Sequence, residues 1–81
     1  MTPDEIRTTV IAALKQIAPD TDPASIDPDE DLREELDIDS MDFLNFITAL
    51  HVHLSVEIPE ADASKLATIN GALAYLQGRV A

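Results

Sequence analysis

Ser40 is the side chain in this sequence with the clearest chemical opening. It lies in Leu36-Asp37-Ile38-Asp39-Ser40-Met41-Asp42, where a long acidic stretch meets a strongly apolar one. That position makes it the first residue of a helix entered from an exposed loop. No histidine, lysine or basic cluster stands near it in sequence to activate it as a nucleophile. A helix N-terminus, however, presents unpaired backbone N–H groups and a partial positive charge, a natural seat for phosphate. A hydroxyl so placed suits the attachment of a phosphate-linked group. The plainer reading is a serine chosen for its preference at helix starts.

Other chemistry-bearing residues form weaker patterns. His51 and His53 are two apart on one helix and point in different directions, which makes them a poor metal pair. They read as surface histidines favoured by the negative end of the helix dipole. Asp27-Pro28-Asp29-Glu30-Asp31 has the alternating acids of a calcium loop, but Leu32 stands where the sharp turn requires glycine, so no dedicated site is expected. There is no cysteine, hence no disulfide, thiolate or cysteine-bound metal. No Ser–His or carboxylate pair follows from the spacing, and 81 residues leave little room for a preorganised pocket. No catalytic residue and no metal site are expected.

Sixteen acids against five bases give a net charge of −11. Such a surface repels nucleic acid and anionic lipid and attracts basic protein partners. Eleven of the sixteen acids lie between Asp20 and Asp42, and none follows until Glu57. The field is therefore strongest beside Ser40. The N-terminus is acidic where a secretory signal would be basic, and the apolar run Val10–Leu14 is too short to cross a bilayer. A cytoplasmic protein is expected.

The elements that must position Ser40 are legible from spacing. Thr2 caps and Pro3 opens a first helix, with Ile6, Val10, Ile11, Leu14 and Ile17 on one stripe, ending before Pro19. From Pro19 to Asp39 runs an aperiodic segment rich in Asp and Pro, long enough to suggest function. Ile26, Leu32, Leu36 and Ile38 are candidate anchors in it, and a helical turn is possible near Asp29–Glu35. Asp39 caps the next helix, with Asp42 placed to bond back to the cap. This helix should run from Ser40 to about Leu54, with Leu44, Ile47, Leu50 and Leu54 on one face widened by Phe43 and Phe46. Val56, Ile58 and Pro59 form a connector, Glu60–Lys65 one short turn, and Thr68 caps a last helix facing Ile69, Leu73, Leu76 and Val80 inward. The expected architecture is all-α: a single domain over residues 1–81, a small four-helix bundle of three longer helices and one short helix, with a long loop between helices 1 and 2. The long loop and lack of heptads favour a monomer.

Ile38-Asp39-Ser40-Met41-Asp42 resembles the Asp-Ser-Leu attachment motif of acyl carrier proteins. The resemblance spans nearly the whole chain: Asp31-Leu32 and Leu36 before the motif, then Ala49-Leu50, Glu57-Ile58-Pro59, Ala67-Thr68-Ile69 and Ala74-Tyr75-Leu76 after it, in order and spacing. It implies that a phosphopantetheinyl transferase, using coenzyme A and magnesium, places 4′-phosphopantetheine on Ser40, with Asp39 and Met41 as the flanking motif. It further implies an acyl group held as a thioester on the arm and presented to downstream synthase enzymes in fatty acid, specialised lipid or polyketide synthesis. A rival cargo is an amino acid loaded by a dedicated ligase. A different class of function, an unmodified helical adaptor, would use the same surface to bind one partner.

Two departures from the family pattern matter. Asp37 stands where glycine is common; aspartate tolerates a left-handed backbone better than most residues. The row of acids that usually follows the serine is missing. Met41, Asn45, Thr48 and Val52 recur at steps of four, three and four on one face adjoining Ser40, and beyond Asp42 that face carries no charge. Partner docking on Met41, Asp42, Asn45, Thr48 and Val52 is therefore expected to rely on apolar and hydrogen-bond contacts more than on salt bridges. Phe43, Phe46, Leu50 and Leu54 either line a space for an acyl chain or form ordinary core.

Overall fold

A computed structural model describes residues 2–80; the terminal residues of the expected 1–81 domain, Met1 and Ala81, lie outside it. Four α-helices form: α1 (Pro3–Ile17), α2 (Leu32–Glu35), α3 (Ser40–Leu54) and α4 (Ile69–Gln77). Two 3-10 segments, Pro23–Ser25 and Glu60–Leu66, complete the helical structure, and no strand forms among the described residues. Three long helices and the 3-10 helix make the small bundle that the spacing predicts.

Each long helix begins at a side-chain cap. Thr2 accepts from the Glu5 N–H while the Glu5 carboxylate accepts from the Thr2 N–H, a complete reciprocal cap. The hydrogen bond from Thr2 holds the Glu5 carboxyl below its ordinary range. Thr68 accepts from the Gly71 N–H at 2.9 Å. Gly71 has no room for a side chain: a Cβ there would meet the Lys65 carbonyl oxygen at 2.7 Å, so the 3-10 helix and α4 approach through this glycine.

The core is apolar throughout. Ile6, Val10, Ala13 and Leu14 of α1 meet Phe43, Phe46, Ile47 and Leu50 of α3 and Ile69, Ala72 and Leu76 of α4. Burial of this set is the main driving force for the fold. Two details correct the expected faces. Leu44, assigned inward, is 49% exposed, and Phe43 takes its place; Leu73 is half-buried while Ala72 is fully buried. Both helices carry apolar residues on more than one side, so periodicity alone left the inward direction open by one residue.

The long loop is tied down rather than free. Ile26 and Leu32 are buried and Leu36 and Ile38 half-buried. The Leu32 N–H donates to the Ala67 carbonyl at 2.7 Å, the Asn70 N–H to the Pro28 carbonyl at 3.0 Å, and the Asn70 amide to Asp29 at 2.7 Å. These bonds fasten the middle of the loop to the start of α4. On the opposite wall, Asp62 of the 3-10 helix accepts from the Tyr75 hydroxyl at 2.8 Å and pairs with Lys65 and Arg79, each at 3.4 Å. The Tyr75 hydrogen bond, then Lys65 and Arg79, hold the Asp62 carboxyl below its usual range.

Candidate functional site

The site is the first turn of α3 and the chain that leads into it. α2 supplies the approach: Asp31 caps it through the Arg33 N–H at 2.8 Å, and the Ile38 N–H returns to the Arg33 carbonyl at 3.1 Å. Between them Asp37 adopts φ 53°, the left-handed conformation expected where a carboxylate replaces glycine. The turn redirects the chain so that Asp39 arrives extended and becomes the cap of α3.

The Asp39 carboxylate accepts from the Asp42 N–H at 2.9 Å, and the Asp39 carbonyl accepts from the Phe43 N–H at 3.0 Å. The expected return bond from the Asp42 side chain does not form among the described residues. Aspartate is one methylene shorter than the glutamate that closes the same box in α1, and it does not reach. The cap leaves the N–H groups of Ser40 and Met41 outside the helical ladder.

Ser40 is exposed at this positive tip. A bulky tether on its oxygen would displace no core residue. A phosphodiester there would sit by the free N–H groups of the first turn, so the residues present fit a phosphate-linked group. Asp39, Met41 and Asp42 share the same turn. Asn45, Thr48 and Val52 continue along α3, all exposed, with Met41 and Val52 each 67% exposed. Met41, Asn45, Thr48 and Val52 thus lie exposed along α3 as their spacing predicts, and Leu44, expected inward, is exposed beside them. Phe43, Phe46 and Leu50 are buried core, and Leu54 is half-buried.

Arg33 was also missed. Its Nε and Nη2 donate to the Asp31 carboxylate at 3.1 and 2.9 Å, and its Cζ lies 5.3 Å from the centre of the Phe43 ring. The hydrogen bonds from Arg33 hold the Asp31 carboxyl below its ordinary range, and the same contact raises Arg33. The available signal was its solitude: it is the one base between Asp20 and Asp42.

The two histidines serve the fold at the other end of α3. His51 Nδ1 lies 2.8 Å from the Val56 carbonyl, which can only accept, so the proton is on Nδ1. The Gln16 amide donates to His53 Nε2 at 3.1 Å, linking α1 to α3. A surface cleft of about 450 Å³ lies between the end of α1 and the end of α2, with Asp20, Asp22, Ile26, Glu35 and Leu36 on its walls and Ser40 not among them.

A family model described as a phosphopantetheine attachment site matches residues 4–76. The chain is 33% identical over 75 residues to an acyl carrier protein of Thermosynechococcus vestitus, covering 89% of this chain and 93% of the relative. It is 32% identical over 75 residues to an acyl carrier protein of Campylobacter fetus, covering 93% and 91%. With that of Campylobacter hominis the identity is 31% over 74 residues, covering 91% and 87%.

Proposed function

We propose, from the premise that this chain belongs to the acyl carrier protein family, that Ser40 is the residue that bears its phosphopantetheine arm. Membership makes the protein a carrier and not a catalyst, with 4′-phosphopantetheine as its covalent group. When attached, the arm supplies a terminal thiol that holds cargo as a thioester. The observation that carries the assignment to Ser40 is its position: exposed, first in α3, directly after the capping Asp39.

The chain's own residues do three things in this reading. Asp37 and Asp39 fix the turn and cap that hold Ser40 outward. The N–H groups of the first turn meet the phosphate. The acids from Asp20 to Asp42 offer a basic phosphopantetheinyl transferase, working with coenzyme A and magnesium, something to grip. A tethered cargo then meets each synthase enzyme at a raised effective concentration. We read residues 1–81 as one such carrier domain. No helix among the described residues is long and apolar enough to cross a membrane.

Met41, Asp42, Asn45, Thr48 and Val52 form the docking face in this proposal, with Leu44 beside them. It carries a single acid, so partner enzymes recognise it through apolar and hydrogen-bond contacts. The cargo is an acyl group of fatty acid, specialised lipid or polyketide synthesis. The intact mass of protein purified from its own cells, with the thioester kept, distinguishes it from an amino acid. An unmodified adaptor is separated in the same experiment: it gains no phosphopantetheine from a broad-specificity transferase and tolerates Ser40→Ala.

A further inference from the structure

Arg33 belongs neither to the first turn of α3 nor to the proposed docking face, yet its placement is specific. It is the one base among eleven acids between Asp20 and Asp42. Two contacts fix its otherwise flexible side chain: the paired hydrogen bonds to Asp31, and the face of the Phe43 ring 5.3 Å away. Phe43 lies three residues after Ser40 on α3, so the two side chains are neighbours on the helix surface, with Cβ atoms roughly 5–6 Å apart. The backbone bond from Ile38 to Arg33 closes α2 onto the chain that enters Ser40. The guanidinium is thus held against the ring of a residue one helical turn after Ser40.

Asp31 occupies only the Nε and Nη2 positions. A guanidinium has five donors, and those of Nη1 remain for a second acceptor among the described residues. A phosphodiester on Ser40 enters a field set by Glu34, Glu35, Asp37, Asp39 and Asp42, all repelling it. The first-turn N–H groups offset part of that repulsion, and the guanidinium of Arg33, the one base between Asp20 and Asp42, adds positive charge. Arginine suits this role because it binds phosphate through directed donors and stacks on a ring at the same time.

We propose that Arg33 is an anion-binding residue for the phosphodiester of the arm, held in position by Asp31 and Phe43. The proposal rests on the attachment of that arm to Ser40. It makes Arg33 the residue that orients the root of the arm against α2 and α3, while the acids around it remain for the transferase.

Nuclear magnetic resonance on the full-length protein before and after modification tests it. Intact mass first establishes that one phosphopantetheine has been added. The Arg33 Nε–Hε signal, identified by its loss in Arg33→Gln, is expected to shift on modification of the parent. The ³¹P resonance of the phosphodiester is expected to be displaced in modified Arg33→Gln relative to the parent, and displaced less in Arg33→Lys. Added salt should shrink the difference between parent and Arg33→Gln, because the contact is exposed. Addition of the arm with an unmoved Arg33 signal and the same ³¹P position in parent and Arg33→Gln overturns this inference alone. A protein that gains no mass overturns the attachment reading and this one with it.

Discussion

The two ends of α3 solve the same problem, ending a helix, with different residues and leave different surfaces. At the start, Asp37 turns left-handed, Asp39 caps, and the acids crowd around an exposed Ser40. At the finish, Ser55 turns left-handed at the same φ of 53°, His51 donates to the Val56 carbonyl, and His53 ties α3 to Gln16 of α1. At one end the polar groups face solvent around Ser40; at the other they bond within the fold. Charge follows the division, with no acid between Asp42 and Glu57. The helix is therefore polarised: acids surround its Ser40 end, while Leu44, Asn45, Thr48 and Val52 lie exposed and uncharged further along.

Substitutions at the two ends should separate these roles. The largest stability effect is expected at the entry turn. Asp37→Val forces a β-branched residue into the left-handed region and should cost about 2 kcal/mol, read from the urea midpoint; an unchanged midpoint would mean that the turn is not rigid. Asp39→Ala removes the cap and should cost about 1 kcal/mol in the same measurement. The exit turn should respond with the opposite sign. Ser55→Gly relieves a left-handed serine, and after the greater freedom of glycine in the unfolded chain it should gain roughly 0.5 kcal/mol.

The charge division can be removed directly. Asn45→Glu with Val52→Glu extends the acids along α3. Both positions are exposed, so stability should move by no more than about 0.5 kcal/mol. The affinity of a partner enzyme should become more sensitive to salt than that of the parent, because exposed charge pairs are screened. Equal salt dependence in the two proteins would place docking elsewhere than on this face.

The smallest effect lies off α3 and marks the background against which its ends are compared. The hydrogen bond from Tyr75, with Lys65 and Arg79, lowers the Asp62 carboxyl in the folded protein. Its contribution is then present above the ordinary aspartate value of about 3.9 and is lost as pH falls through the lower folded value. Thermal melts of Asp62→Asn should therefore fall less steeply with acidification across that window than melts of the parent.

Much of this was readable before the fold was known, and the failures have physical causes. The three long helices, their caps and the exposed Ser40 follow from apolar spacing and from Thr2, Asp39 and Thr68. Leu44 was placed inward because Phe43, Leu44, Phe46 and Ile47 are all apolar, and packing against α1, not period, chooses among them. The return bond of Asp42 failed on side-chain length. The 3-10 turn at Pro23–Ser25 was missed although Asp22-Pro23, a cap followed by a fixed φ, announces it. The 3-10 helix at Glu60–Leu66 is longer than the single turn expected, since its burial of Leu66 and its bond to Tyr75 come from distant residues. Arg33 was passed over because its meaning depends on the ring beneath it, which sequence distance conceals.

The assignment on which the rest depends is tested by one mass measurement. The protein is incubated with a broad-specificity phosphopantetheinyl transferase, coenzyme A and magnesium, beside Ser40→Ala. We expect the parent to gain one phosphopantetheine, mapped by fragmentation to Ser40, and the variant to stay folded and gain none. A parent that remains unmodified, or a variant that is modified as fully as the parent, would contradict the account.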